Sequence, residues 1–199
     1  MAPPTSKPRL AQIDPDALAK AVEDDAIHHA HRLALTLSPR VELRVLDSGV
    51  SSYTQIGLSV RDLAAYAVGG ARLDAPVHDY MISLLEVLGQ PVGGLTSTTV
   101  IDEALDGRVD VDDLDTDTIG QLALVTCAAL ARERVENGRD GQSVPASWLA
   151  ALAGTSTRQV QHISLSGDGL KRDADGDVTA ASARAWLAAR RLRASQGRP

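Results

Sequence analysis

The chain has 199 residues, 44% of them hydrophobic, with no Phe, one Cys and a formal net charge of −6. That length buries a real core and reads as one large or two modest domains. A lone Cys127 inside the apolar run Ala123–Ala131 excludes a disulfide framework and points to a reducing, cytoplasmic compartment. No uninterrupted apolar stretch is long enough to span a bilayer, and Met1–Arg9 is Pro-rich without a signal-peptide apolar core, so no membrane partner is expected. With 3% aromatic residues the core must come from Leu, Val, Ile and Ala, which favours close-packed helices. The expected fold class is therefore mostly α.

Residues 1–9 read as a disordered leader. From Asp14, with Pro15 at the first helical position, Leu18, Ala21, Val22, Ile27, Ala30, Leu33, Ala34 and Leu37 recur with helical spacing until Ser38-Pro39. Val41–Leu46 alternates in a way that leaves a short strand and an extension of that helix both open. Ser59 is placed as the cap of a helix from Val60 to Val68 that Gly69-Gly70 ends. A further helix is expected after Asp74, with Pro76 in its first turn, running to Leu88. Gln90–Thr99 reads as a loop, followed by a short helix from about Thr99 to Leu105 and a long one from about Leu114 to Val135. Gly138, Asp140, Gly141 and Gln142 mark 138–143 as a linker. The expected division is an acidic helical domain over 10–137, the linker, and a second domain over 144–199.

The charge is split across that boundary. Between Val144 and Pro199, Lys171 and seven Arg stand against four Asp, which leaves +4 there and −10 on the remainder. Val144–Ile163 carries Ala150, then Gly154 four positions on, then Val160 and Ile163 six and nine beyond that Gly. A small residue lets a second helix cross close above the first, Gly supplies the positive φ of a tight interhelical turn, and two apolar residues three apart plug the second helix down. This pattern resembles the helix-turn-helix signature. Ser156 or Thr157 caps the second helix, whose outward residues are Arg158, Gln159, Gln161 and His162. Beyond it, Gly167–Arg172 and Asp173–Val178 read as a short hairpin or wing turning at Asp175-Gly176, and Thr179 caps a final helix, Ala180–Arg193, with Trp186 and Leu187 inward.

Helix, Gly turn, helix, wing and helix over Val144–Arg193 is similar to the winged-helix modules of the excisionase and MerR type, also seen in phage DNA-packaging small subunits. The resemblance implies double-stranded DNA as partner, reached by Thr155, Ser156, Thr157, Arg158, Gln159, Gln161 and His162 of the helix-turn-helix and by Lys171 and Arg172 of the wing. Arg184, Arg190, Arg191, Arg193 and Arg198 are further candidates for gripping phosphates. One such module buries little DNA, so the acidic domain is expected to make a homodimer.

Other features read as structural. Asp173, Asp175 and Asp177 lack the Gly and Glu positions of a calcium loop. The acidic run from Asp106 to Asp117 suits helix capping. His28, His29 and His31 have no completing metal ligand beyond Asp24 and Asp25. No phosphate loop, nucleophile elbow or Cys–base pair is present, so no enzyme, cofactor or metal is expected. The expected function is a dimeric transcriptional regulator, most simply a repressor. A protein-interaction adaptor of a phage or plasmid DNA-processing assembly is the alternative. A ligand sensor built on Ser48–Gly57 and the loop near Gly93 is a third reading.

Overall fold

A computed structural model of the chain describes residues 9–37, 55–88, 95–138, 142–165 and 169–195. Among them are a short 3-10 turn (Leu10–Gln12), eight α-helices and one two-stranded antiparallel sheet. The helices are α1 (Pro15–Leu37), α2 (Gln55–Gly69), α3 (Val77–Leu88), α4 (Leu95–Leu105), α5 (Thr118–Asn137), α6 (Ala146–Ala153), α7 (Thr157–Leu165) and α8 (Ala180–Ser195). Val41–Leu46 and most of Ser48–Gly57 lie outside the described residues, as do the side chains of His28, His29 and His31.

Helix α5 organises the rest. Of its 20 residues 13 are buried, on every side, because Ala123, Ala128, Ala129 and Ala131 interleave with Leu122, Val125 and Leu130. Small side chains let neighbouring helix axes approach closely, so α5 packs against each of α1, α2, α3, α4, α6 and α8 and against the sheet. Its start is fixed by Asp117, whose side chain accepts a 2.7 Å hydrogen bond from Gly120 N. Glu133 of the same helix reaches across to cap α3, accepting from Val77 N at 3.0 Å. Asp14 caps α1 through Asp16 N at 3.0 Å.

The elements depart from the sequence expectations at three helix starts. Ser59 is not a cap: α2 begins at Gln55, and Ser59 and Gly57 are buried inside it, where the missing side chain and the small one suit the close packing of α2 on α1. Helix α4 begins at Leu95, four residues before Thr99, so the Thr-rich run is helical despite its β-branched content; its packing on α5 through Ile101 and Ala104 outweighs weak propensity. Helix α5 begins at Thr118 rather than Leu114, because Asp110–Asp117 forms turns that tuck Val111 and Leu114 into the core ahead of the cap.

The hydrophobic core is one cluster that runs from Leu10 to Leu187, through both parts of the chain. Ser143 and Val144, expected as the end of the linker and the helix approach, are held in the sheet: β1 (Ser143–Val144) pairs with β2 (Val178–Thr179), with Val144 opposite Val178. Arg172 bridges to Val178 on its other side, completing the wing. A β-carbon on Gly120 would lie 2.2 Å from the Asp115 carbonyl oxygen, a backbone atom that cannot swing away. Gly120→Ala is therefore expected to cost at least about 2 kcal/mol, lowering Tm by roughly 4–8 °C. Gly154→Ala, where φ is +61 and nothing lies within 4 Å, is expected to cost only the left-handed backbone penalty of about 1–2 kcal/mol. Thermal unfolding of the two variants checks the order.

Candidate nucleic-acid interface

Helices α6 and α7 meet at Gly154, whose φ of 61 and ψ of 41 place it in the left-handed region. Gly154 N and Thr155 N close the end of α6, bonding Ala151 O at 3.2 Å and Ala150 O at 3.0 Å. Ala150 and Val160 are fully buried, and Ile163 packs partly buried against the core, the arrangement that the spacing of these residues anticipates. Ser156 is the cap of α7, accepting from Gln159 N at 3.0 Å. Pinned from behind by Val160, α7 turns Arg158, Gln159, Gln161 and His162 outward, and all four are exposed.

The other expected contact residues separate into groups. Thr157 is not available at the surface: it is 8% exposed, and its Oγ1 has no hydrogen-bond partner among the described residues. As the first residue of α7 it faces the neighbouring cleft rather than outward, since the cap that precedes it turns the chain there. Thr155 donates its hydroxyl to Gln159 Oε1. Lys171 and Arg172 are exposed on the wing strand, and the Arg172 guanidinium donates to the Gly176 carbonyl across the wing turn. The cleft, of about 390 Å³, lies between Gly107-Arg108, the start of α6, Thr157 and Gln161 of α7, and the wing turn.

Two of the basic residues of α8 serve the fold. Arg184 Nε donates to Val135 O at 2.8 Å, tying α8 to the end of α5. Arg190 lies 5.6 Å from the Trp186 ring centroid. Arg191 is exposed, and the side chains of Arg193 and Arg198 are outside the described residues.

The residues that anchor α6 and α7 were invisible as such in the sequence. Trp148 Nε1 donates to Ala104 O at 2.6 Å, and Ser147 Oγ to Gly107 O at 2.8 Å, so the start of α6 is fastened to the end of α4. Cys127 also donates its thiol to Ala104 O, and burial pushes the thiol pKa well above its ordinary value, which removes it as a nucleophile. Arg134 lies 5.5 Å from the Trp148 ring and donates to Ser143 O at 3.1 Å. An aromatic residue three positions into an amphipathic helix was the one available hint.

At the wing, Asp173 closes its own loop. Its Oδ1 accepts from Asp175 N and Asp177 N, each at 3.0 Å, and its Oδ2 accepts from Ser143 Oγ. The Ser143 hydrogen bond, reinforced by the backbone donors, holds the Asp173 carboxyl below its ordinary 3.8. Asp177 shifts the other way, raised by burial and by the charges of Asp173 and Asp175. No group of three or more potential ligands that could hold a metal occurs among the described residues, and no helix there is long and apolar enough to cross a membrane. Compared with protein-family models, curated proteins and solved structures, the chain matches none.

A carboxyl with a depressed folded pKa contributes stability above its unfolded pKa and loses it as pH falls through the folded value. Asp173→Asn is therefore expected to be less stable than the parent at pH 7, with the deficit shrinking once pH drops below the ordinary carboxylate value of 3.8. Denaturant titrations at several pH values check this, and a deficit that stays constant down to acid pH contradicts the assignment.

Proposed function

We propose that the chain is a sequence-specific double-stranded-DNA-binding protein, a transcriptional regulator acting as a repressor and as a homodimer, with α7 as the recognition helix. The observation that carries this reading is the segregation on α7: Val160 is fully buried, Arg158 and His162 are exposed opposite it, and Gln159 and Gln161 are exposed on the two flanks. These are the side chains that pair with base edges and phosphates in the major groove. A rigid base behind them matters as much, because specificity requires the donors to be held in register. The Trp148, Ser147 and Arg134 hydrogen bonds supply that base. Dimerisation supplies the second half-site that one small module needs for tight binding.

A second reading is favoured by one specific observation. The wing turn carries Asp173, Asp175 and Asp177, anionic where a DNA-facing wing would present cations, and this suits a protein-interaction adaptor in a DNA-processing assembly. Binding of duplex libraries across a salt series separates the two. We expect a selected sequence to bind with an affinity that falls as salt rises, and Arg158→Ala to weaken it by roughly 5–150-fold, the range of one lost base-edge contact. Binding no tighter than about 10⁻⁴ M, the weak end of non-specific affinity, overturns the DNA reading.

A further inference from the structure

We propose that the cleft beside α7 is a binding site for an arginine side chain carried by a partner protein. The proposal goes beyond the DNA reading and stands apart from it, since the residues that carry it, Asp110, Thr157, Asp175 and Asp177, are not those that α7 turns outward.

The cleft opens between the residues that follow α4, the starts of α6 and α7, and the wing turn. Three carboxylates line it, Asp110 after α4 and Asp175 and Asp177 on the wing, beside the two cations Arg108 and Arg172. Both cations already have an oxygen of their own: Arg108 donates to Asp106 at 2.6 Å, and Arg172 donates to the Gly176 carbonyl. The Asp177 carboxylate is half-buried and has no hydrogen bond or ion pair among the described residues. Burial and the charges of Asp173 and Asp175 raise its pKa, so the local field is negative despite Arg172 and Arg134. The helix starts at Ala146 and Thr157 would alone favour an anion. The carboxylates around them already supply that charge, and they repel a further anion. What the cleft lacks is a cation.

Thr157 points to a ligand independently of the charges. It is 8% exposed, it borders the cleft, and its Oγ1 has no partner among the described residues. A buried hydroxyl left unpaired is costly, and an N–H donor entering through the cleft gives it one. A metal ion does not suit the site, because no three potential metal ligands converge among the described residues. A guanidinium does: it is planar, carries five N–H donors in a fixed fork, and can reach a hydroxyl and carboxylates of separate elements together, whereas a Lys ammonium is a compact point charge. The segment leading away from the cleft bears further exposed carboxylates, Asp113 and Asp115. That extended acidic surface complements a basic protein segment rather than an isolated small cation.

The test titrates the full chain, nitrogen-15-labelled and without DNA, with a blocked Ala-Ala-Arg-Ala-Ala peptide and with its lysine and citrulline counterparts, following backbone amide shifts. Citrulline keeps the shape of the side chain and removes its charge. We expect the arginine peptide to move the amides of Thr157 and Asp177 and to bind about tenfold or more tightly than the citrulline peptide, the change of one lost charged hydrogen bond, with lysine between them. Asp177→Asn and Thr157→Val should each weaken the arginine peptide by about fivefold or more, and Asp25→Asn, on α1 and outside the cleft lining, should leave it unchanged. Melting temperature separates a ligand role from a structural one. Thr157→Val keeps the shape and removes an unpaired hydroxyl, so Tm should hold or rise while binding falls. No binding, equal binding of arginine and citrulline, lysine binding as tight as arginine, shifts confined to residues away from the cleft, or an affinity that neither Asp177→Asn nor Thr157→Val lowers would overturn the proposal, and each leaves the DNA reading untouched.

Discussion

The structure depends on the burial of α5 from all sides. A helix that is apolar around its whole circumference must be covered around its whole circumference, and 13 buried residues out of 20 leave no free face for solvent. Helices α1–α4 cover one part of that surface, and α6, α8 and the sheet cover the rest. The α6–α7 pair is consequently a wall of the same core rather than an appendage to it. Helix α7 is joined to α5 through α6, on which it packs.

That arrangement places polar groups where water cannot serve them, and several meet a specific partner, while Arg132 Nε and Thr157 Oγ1 have none among the described residues. Arg132 is 8% exposed, yet its guanidinium donates to Glu136 at 2.9 Å and to Ala67 O at 3.2 Å and lies 5.9 Å from the Tyr66 ring. Arg134, half-buried, and Arg184, exposed, donate to carbonyls at the end of α5 and on the segment that leads into β1. Buried arginines satisfied by carbonyls fix orientation more than they add net stability, because removing one leaves its partners unpaired. Arg132 ties α5 to α2, Arg134 ties it to β1, and Arg184 ties α8 to the end of α5.

Local pattern made much of this legible. The Ala150–Gly154–Val160–Ile163 spacing reports a geometry decided within twenty residues, so the sequence carries α6, the left-handed Gly154 and α7 plainly. The Asp175-Gly176 wing turn is equally local, with Gly176 at φ 92. What the sequence hid is long-range. Nothing near Ser143 announces that Thr179 will lie opposite it, since strand pairing across 36 residues is decided by the fold. Arg184 looks like a phosphate contact until Val135 O is seen beside it, and Thr157 looks like a surface hydroxyl until the cap buries it. The starts of α2 and α4 were obscured because Gly57 and the Thr-rich run have weak helical propensity, which packing overrides.

The central claim, that α5 makes the α6–α7 pair part of one cooperative core, is open to a direct measurement. Both tryptophans of the chain, Trp148 and Trp186, lie in the C-terminal part, whereas α1 to α5 hold most of the helical residues. Tryptophan fluorescence and far-ultraviolet circular dichroism, followed together through a denaturant titration, therefore report on different regions. The account predicts coincident transitions with one midpoint. A fluorescence transition that separates from the loss of helicity would show that the C-terminal part unfolds on its own, and would contradict it.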